Sequence, residues 1–264
     1  EIDLSSTTNQ VTTFNGSANA AVQKGFENVD VSGVTGSFGA QITAISTGST
    51  ITGTANADVI TGGAGDDIIH FKGGTDIDDA DTIAGGAGAN SIVMDAASTT
   101  ITDADFANTT LIQTFTLANG GNTAVFDTKA TAAGIVTVVG GTGVDTVTLD
   151  TAITTYTADA GGSDIITIEG ADLAGLTIST GTSTDDIVLI LSAAQVSGAA
   201  DWGTAKGSTV TGADEWNVAI TAGVATLTWW DEANSGAVAT MTITGVNTVV
   251  DHATDGYLSI DVVA

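Results

Sequence analysis

Gly53–Val93 reads GTANADVITGGAGDDIIHFKGGTDIDDADTIAGGAGANSIV, and this stretch decides the fold. Glycine-rich turns alternate in it with short apolar runs. Gly53–Thr61 and Gly62–His70 are consecutive nine-residue units with the shared pattern G-x-x-x-x-D-x-Ile-x. The first unit puts Asp58 at position six and Ile60 at position eight; the second puts Asp67 and Ile69 there. Glycine permits the positive φ of a sharp bend, and aspartate brings a hard oxygen ligand. In an extended chain the residue two places beyond the aspartate points the same way, so Ile60 and Ile69 can fill a narrow core.

The same ladder continues on both sides. Ile42, Ile51, Ile60 and Ile69 are spaced by nine, and Thr43, Thr52 and Thr61 each follow one of them. Upstream, position six holds Ala40 and then Ser49, so those turns keep the core but are predicted to be metal-free. The threonine column of three is too short for the flat plane of an ice-binding solenoid. Downstream, Gly73–Ala84 is a unit expanded by three residues, with Asp76, Asp78, Asp79 and Asp81 crowded into one loop. Gly85–Val93 restores the length but offers Asn90 at position six, a carbonyl oxygen without charge and hence a weaker site.

Gly62, Gly63, Gly65 and Asp67 fill all four fixed positions of GGxGxDxUx. Gly140–Thr148 (GGTGVDTVT) fills them again, with Asp145 as ligand and Val147 inside. This order resembles the nonapeptide of the repeats-in-toxin (RTX) family, which winds into a calcium-loaded parallel β-roll. The resemblance implies an all-β, right-handed parallel β-roll/β-helix solenoid with calcium-binding turns, in which each nonapeptide is half a coil. The 53–58 loop then faces the 73–81 loop, and the 62–67 loop faces the 85–90 loop. Several Ca²⁺ ions would sit between such loops, on aspartate carboxylates and on carbonyls at the glycine positions. The implied ligands are Asn56, Asp58, Gly63, Gly65, Asp67, Gly74, Asp76, Asp78, Asp81, Gly86, Gly88 and Asn90. Gly141, Gly143 and Asp145 follow, with Asp164 and Asp186 (the latter in a unit 181–189 that places Val188 inside) in degenerate later turns. Six or more hard oxygens suit Ca²⁺ and exceed what octahedral Mg²⁺ accepts.

Composition supports bound cations. The chain of 264 residues carries 31 acidic against 4 basic side chains, a formal charge of -27, which opposes compaction. The same balance excludes nucleic acid and anionic membrane as direct partners. No run approaches the ~18 apolar residues of a membrane span. Cysteine and proline are absent, so there is no disulfide framework and no thiolate site. H-E-x-x-H, G-x-S-x-G and G-x-x-x-x-G-K-[ST] are also absent, and the many Asp pairs reflect composition rather than a glycosidase dyad; the chain reads as no enzyme. His70 takes position nine, on the outer face.

The chain divides into N-terminal capping strands (1–34), the calcium β-roll (35–95), a degenerate β-helix with further calcium-type turns (96–190), and a C-terminal cap (191–264). Phe106, Leu111, Phe115 and Leu117 suggest longer strands, and Asp127–Ala133 a loop. The cap opens with a short helix over 192–202 and continues as antiparallel strands holding all four tryptophans. Of the pair Trp229–Trp230, one packs inward, and a core role outweighs a sugar platform.

RTX modules occur in toxins, proteases, lipases, adhesins and surface-layer proteins. This charge-poor solenoid without a catalytic domain is most similar to surface-layer or matrix proteins that assemble with copies of themselves through calcium. An adhesin that binds a cell-surface glycan or other partner is the rival class. The resemblance implies an extracellular or bacterial cell-surface location and type I export, for which the acidic-then-apolar SIDVVA end is suited. EIDLSSTT lacks a signal-peptide pattern, and residue 1 is read as a processing site or a boundary within a longer precursor. Asp103, Asp105, Asp172, Asp201, Asp214, Asp231 and Glu232, outside any nonapeptide, are candidates to share ions between subunits.

Overall fold

The computed structural model describes residues 27–34, 37, 39–96, 99–150, 152–158, 162–170, 176–179, 185–191, 216–222, 224–231, 237–244, 248–251 and 258–263, with short strands at 2–3, 13–14 and 17–18. The nine-residue spacing becomes strands that alternate between two walls. Gln41–Thr43 and Val59–Thr61 lie in one, Thr50–Thr52 and Ile68–Phe71 in the other. Ile42 pairs with Ile60 and Ile51 with Ile69, both in parallel register. Each coil is therefore two nonapeptides long, and Asp58 bonds to Ala40 across a separation of 18. The column Thr43, Thr52, Thr61 is split by this winding: Thr43 and Thr61 share one wall, while Thr52 pairs with His70 on the other. Strands this short hold because each inward isoleucine is removed from water. Ile42, Ile51, Ile60, Ile69, Ile83 and Ile92 are all 0% exposed, each burial being worth about 1.5–3 kcal/mol.

Beyond His70 the coil lengthens. The inward line passes from Ile69 to Ile92, then to Phe115 and Val138, so the step between coils grows to 23. At Tyr156 it returns to 18. The added length builds a third wall. A coil that starts at Thr82–Ala84 runs through Ser91–Met94 to Thr100–Ile101, the first strand of a second lateral sheet. The wider section needs larger side chains, and Phe106, Phe115 and Phe126 fill it with ring centroids 5.2–5.7 Å apart. Ile77, from the expanded unit, is buried in the same core.

The result is a parallel β-solenoid of about 6 turns. One long sheet of 11 strands runs through it, from Asn28–Asp30 to Trp216–Thr221. A 5-stranded lateral sheet ends at Thr109–Thr110, and a 7-stranded one starts at Thr100–Ile101. Asn28–Asp30, expected among capping strands, is an end strand of the long sheet, parallel to Thr50–Thr52.

Three local expectations are corrected. Asp127–Ala133 is not a loop but carries the helix Thr128–Ala132, because Asp103 reaches across to accept hydrogen bonds from the Asp127, Lys129 and Ala130 amides at 2.9–3.1 Å. Phe106 belongs to a 3-10 helix, Asp103–Phe106, rather than a strand. Leu111, 53% exposed, turns a corner at φ 58°. The antiparallel C-terminal part is present, and it lengthens the sheets rather than lying across their end. Ala237–Thr244 joins the long sheet parallel to Thr177–Ser179, then Val224–Asp231 and Trp216–Thr221 add antiparallel. Leu258–Val263 adds antiparallel to Asp185–Leu191 in the second lateral sheet. The helix predicted over 192–202 lies outside the described residues.

Candidate metal centre

Position six of each unit falls at the corner just before a strand, and stacking of coils puts these corners in columns. In the first, Asp58 Oδ1 accepts from the Ala40 amide at 2.6 Å and Asp81 Oδ1 from the Asp58 amide at 2.8 Å. In the second, Asp67 Oδ1 accepts from Ser49 N at 2.7 Å, Asn90 Oδ1 from Asp67 N at 2.9 Å, and Gln113 Oε1 from Asn90 N at 2.7 Å. In the third, Asn122 Oδ1 accepts from Thr99 N at 3.2 Å, Asp145 Oδ1 from Asn122 N at 2.9 Å, and Asp164 Oδ1 from Asp145 N at 2.9 Å. The second oxygen of the carboxylate turns back on its own loop. Asp58, Asp67 and Asp145 accept there from the amides of Thr54, Gly63 and Gly141 at 2.8–3.0 Å. These side chains thus staple each coil to the one before. The loops face each other as predicted: 53–58 against 73–81, and 62–67 against 85–90.

Such staples are anions taken out of water. Asp58, Asp67 and Asp145 are fully buried, as are Asp81 and Asp164 to within 2%. Burial pushes the Asp67 and Asp145 carboxyls up from the ordinary value despite their amide donors, and pushes Asp81 up to about 6. Buried carboxylates without a basic partner call for a cation. Among the described residues no three His, Cys, Asp or Glu side chains converge. A cation here therefore draws most of its oxygens from peptide carbonyls.

Asn122 shows where those carbonyls point. Its Nδ2 donates to Ala118 O at 2.8 Å, to Gly120 O at 2.7 Å and to Asp145 Oδ1 at 2.7 Å. The carbonyls four and two residues back thus meet the next coil's carboxylate on a single amide nitrogen. Asn90 Nδ2 repeats the arrangement more loosely, with Leu111 O at 3.0 Å and Gly86 O at 3.4 Å. Where position six is aspartate, that amide is replaced by a second oxygen. By the same spacing of four and two, Asp67 falls with Gly63 and Gly65, Asp145 with Gly141 and Gly143, and Asp58 with Asn56 two residues back, while the Gly63 carbonyl accepts from the Ala87 amide at 3.0 Å. Carboxylate and carbonyl oxygens are the kind that suit a hard cation.

The glycines are demanded by how closely the loops stack. A Cβ on Gly63 would overlap the Ile45 carbonyl, one on Gly141 the Ala118 carbonyl, and one on Gly65 the Thr47–Gly48 peptide. Gly86 and Gly88 also hold φ of +82° and +102°.

Not every expected ligand joins a column. In the expanded loop, which includes Gly74, only Asp81 does; Asp76 accepts from the Gly73 amide and the exposed Asp78 from Ala80 N, both closing local turns. Asp186 is displaced by one residue. It pairs with Ile165 inside a strand, so Asp185 follows Asp164 in register, and Ile187, not Val188, is the partner of the buried Ile166. Asn122 and Gln113 belong to the columns without having been expected. Asn122 was legible in Gly120-Gly121-Asn122, one coil before Asp145; Gln113 lacks any such flanking glycines. Asp105 caps the 3-10 helix with Thr102, and Asp103 caps the neighbouring helix. His70 is on the outer face, its Nδ1 2.9 Å from Asp95 Oδ1. Asp172, Asp201, Asp214 and Glu232, and the side chains of Trp229, Trp230 and Asp231, lie outside the described residues.

The family model of the RTX calcium-binding nonapeptide repeat matches residues 46–78 and 77–93, in 4 copies. No curated protein and no solved structure matches the chain. Such repeats bind calcium ions, and proteins that carry them are generally secreted. The Asp58, Asp67, Asp81 and Asn90 corners all fall within the matched residues. Calcium, when bound, supplies the positive charge that these buried carboxylates need.

Proposed function

We propose that the chain is a calcium-folded structural protein of the bacterial exterior that assembles with copies of itself into a surface layer or matrix filament. The observation that carries this reading is the end of the long sheet. Trp216–Thr221 ends the long sheet and, among the described residues, pairs only with Val224–Asp231, which leaves one backbone edge without a described partner. An open edge strand is a template for pairing with another chain. The net charge of -27 opposes that contact until cations fill the loops, so assembly waits on calcium. Low calcium inside the cell keeps the chain unfolded for a type I channel, and external calcium then folds it. The ions rest on Asp58, Asp67, Asp81 and Asp145 with their turn carbonyls, and on Asp164.

A calcium titration followed by circular dichroism, light scattering and electron microscopy on one sample tests this. Folding should come first and assembly at higher calcium, and Asp67→Ala should impair both. A protein that folds with calcium yet stays monomeric at high concentration would sink the assembly reading. The uncharged outer columns of the long sheet from Thr114–Thr116 onward favour a second reading, a binding module of a larger secreted protein. Glycan-array binding by a stable monomer would establish that one.

A further inference from the structure

The outer face of the long sheet is a regular threonine array. From Thr114–Thr116 onward, the parallel register stacks Thr114, Thr137, Thr155, Thr177 and Thr242 in one unbroken column. Two residues along each strand, a second column holds Thr116, Val139, Thr157, Ser179 and Thr244. The antiparallel strand Val224–Asp231 continues both, with Thr226 opposite Thr242 and Val224 opposite Thr244. None of these positions is charged in a chain of net charge -27. The array is also held still. Beneath it Phe115, Val138, Tyr156, Ile178 and Ile243 are all 0% exposed, and β-branched side chains are stiff at χ1. Hydroxyls and methyls therefore stand in fixed rows, ~4.8 Å apart between strands and ~6.8 Å apart along them. The second lateral sheet lacks this continuity: its Thr123 and Thr146 column passes to Ile165 and then Asp186.

We infer that this face binds the surface of ice. A rigid, neutral, two-dimensional grid of hydrogen-bonding and methyl groups fits a partner that is itself a neutral hydrogen-bonded lattice, and its spacings lie close to the oxygen repeats of hexagonal ice. Preorganisation removes the ordering cost that a mobile surface would meet on binding. A second copy is the weaker occupant. From Thr114–Thr116 to Trp216–Thr221 the strip crosses seven strands. At ~29 Å long and two residues wide it offers roughly 300 Å² per partner, well short of the ~800 Å² of a stable protein interface. A polysaccharide is also less suited, because no aromatic side chain stands in the two columns for a sugar ring to stack on. The inference needs only the calcium-folded chain and stands whether or not the chain assembles.

Nanolitre osmometry and uptake of fluorescently labelled, calcium-loaded full chain into a growing ice hemisphere test it. The wild type should shape ice crystals, show thermal hysteresis and enter the ice. Thr137→Tyr and Thr155→Tyr should lose all three while keeping wild-type circular dichroism and calcium-dependent melting. Gln41→Tyr, on the opposite lateral sheet, should retain all three. A folded wild type that is excluded from ice overturns the inference, as does equal activity in the threonine variants. Pull-down by insoluble cellulose or chitin without any effect on ice overturns it in favour of a polysaccharide. A dimer broken by Thr155→Tyr, without any effect on ice, overturns it in favour of a second copy.

Discussion

Replacing Asn122 by aspartate should turn a metal-free corner into a calcium-dependent one. The Asn122 amide donates to Ala118 O, Gly120 O and Asp145 Oδ1, all within 2.8 Å. The substitution deletes those donors and leaves buried acceptors facing a new carboxylate. Loss of a buried hydrogen-bond partner costs about 1–3 kcal/mol. Two carboxylates about 4 Å apart repel by up to roughly 4 kcal/mol at an effective dielectric constant near 20. The metal-free variant should therefore lose about 2–6 kcal/mol, or ~5–20 °C of melting temperature at ~2–4 °C per kcal/mol. Calcium should restore part of it, adding about 1.4 kcal/mol per site at ten times the dissociation constant and more at higher excess. The assay is calorimetric melting with and without chelator, paired with a calcium count by equilibrium dialysis. One additional ion and a widened gap between the two melting curves are expected. A variant that melts like wild type in chelator and binds no further calcium would refute the idea that the asparagine amide stands in a cation's place.

Chelating calcium from the wild type should collapse strand content and lower the melting temperature, and Mg²⁺ should rescue neither; an unchanged circular-dichroism melt would count against calcium as a structural ligand. Leu111→Gly should stabilise by about 1 kcal/mol, because a left-handed backbone costs a residue with a Cβ about 1–2 kcal/mol, and Leu111 at φ 58° is half exposed; urea unfolding reads this directly. Asp81 is favoured in its protonated form by burial. Metal-free protein should thus lose stability as pH rises from 3.8 to about 6, while calcium should flatten that slope; melting temperature against pH, with and without chelator, shows which holds.

The coiling was legible in sequence because one constraint repeats. Each inward isoleucine has to return every half coil, so the spacing of Ile42, Ile51, Ile60 and Ile69 carries both the strands and their pairing. The corners at Asp58, Asp67 and Asp145 were legible for a similar reason, since each pairs a glycine-rich turn with an acid two residues before a core position. What escaped depends on contacts from other coils. Thr128–Ala132 is helical through the carboxylate of Asp103, which belongs to the preceding coil. The third wall appears only where the coil lengthens after Ile69, and Phe106 is drawn inward by that added width rather than by any alternation around it. At Asp186 the nonapeptide frame fails because a strand's period of two makes a one-residue slip reverse the faces, and the flanking acid Asp185 fits the frame equally well. Asp76 and Asp78 close local turns that crowding of acids in the sequence does not reveal.

The cluster of Phe106, Phe115 and Phe126 sets how the molecule yields to force. A solenoid coil packs mainly on its neighbours, so a chain pulled from its two ends gives way largely coil by coil. A short coil, with its step of 18, would release ~60 Å of contour and a long one, with its step of 23, ~80 Å, at ~3.5 Å per residue. The three rings bind together two adjacent coils and the turn between them, with centroids no more than 5.7 Å apart. Unspooling from either side meets this knot last. A tether built on such a solenoid would lengthen in small steps under load and keep a folded remnant from which the released coils rewind.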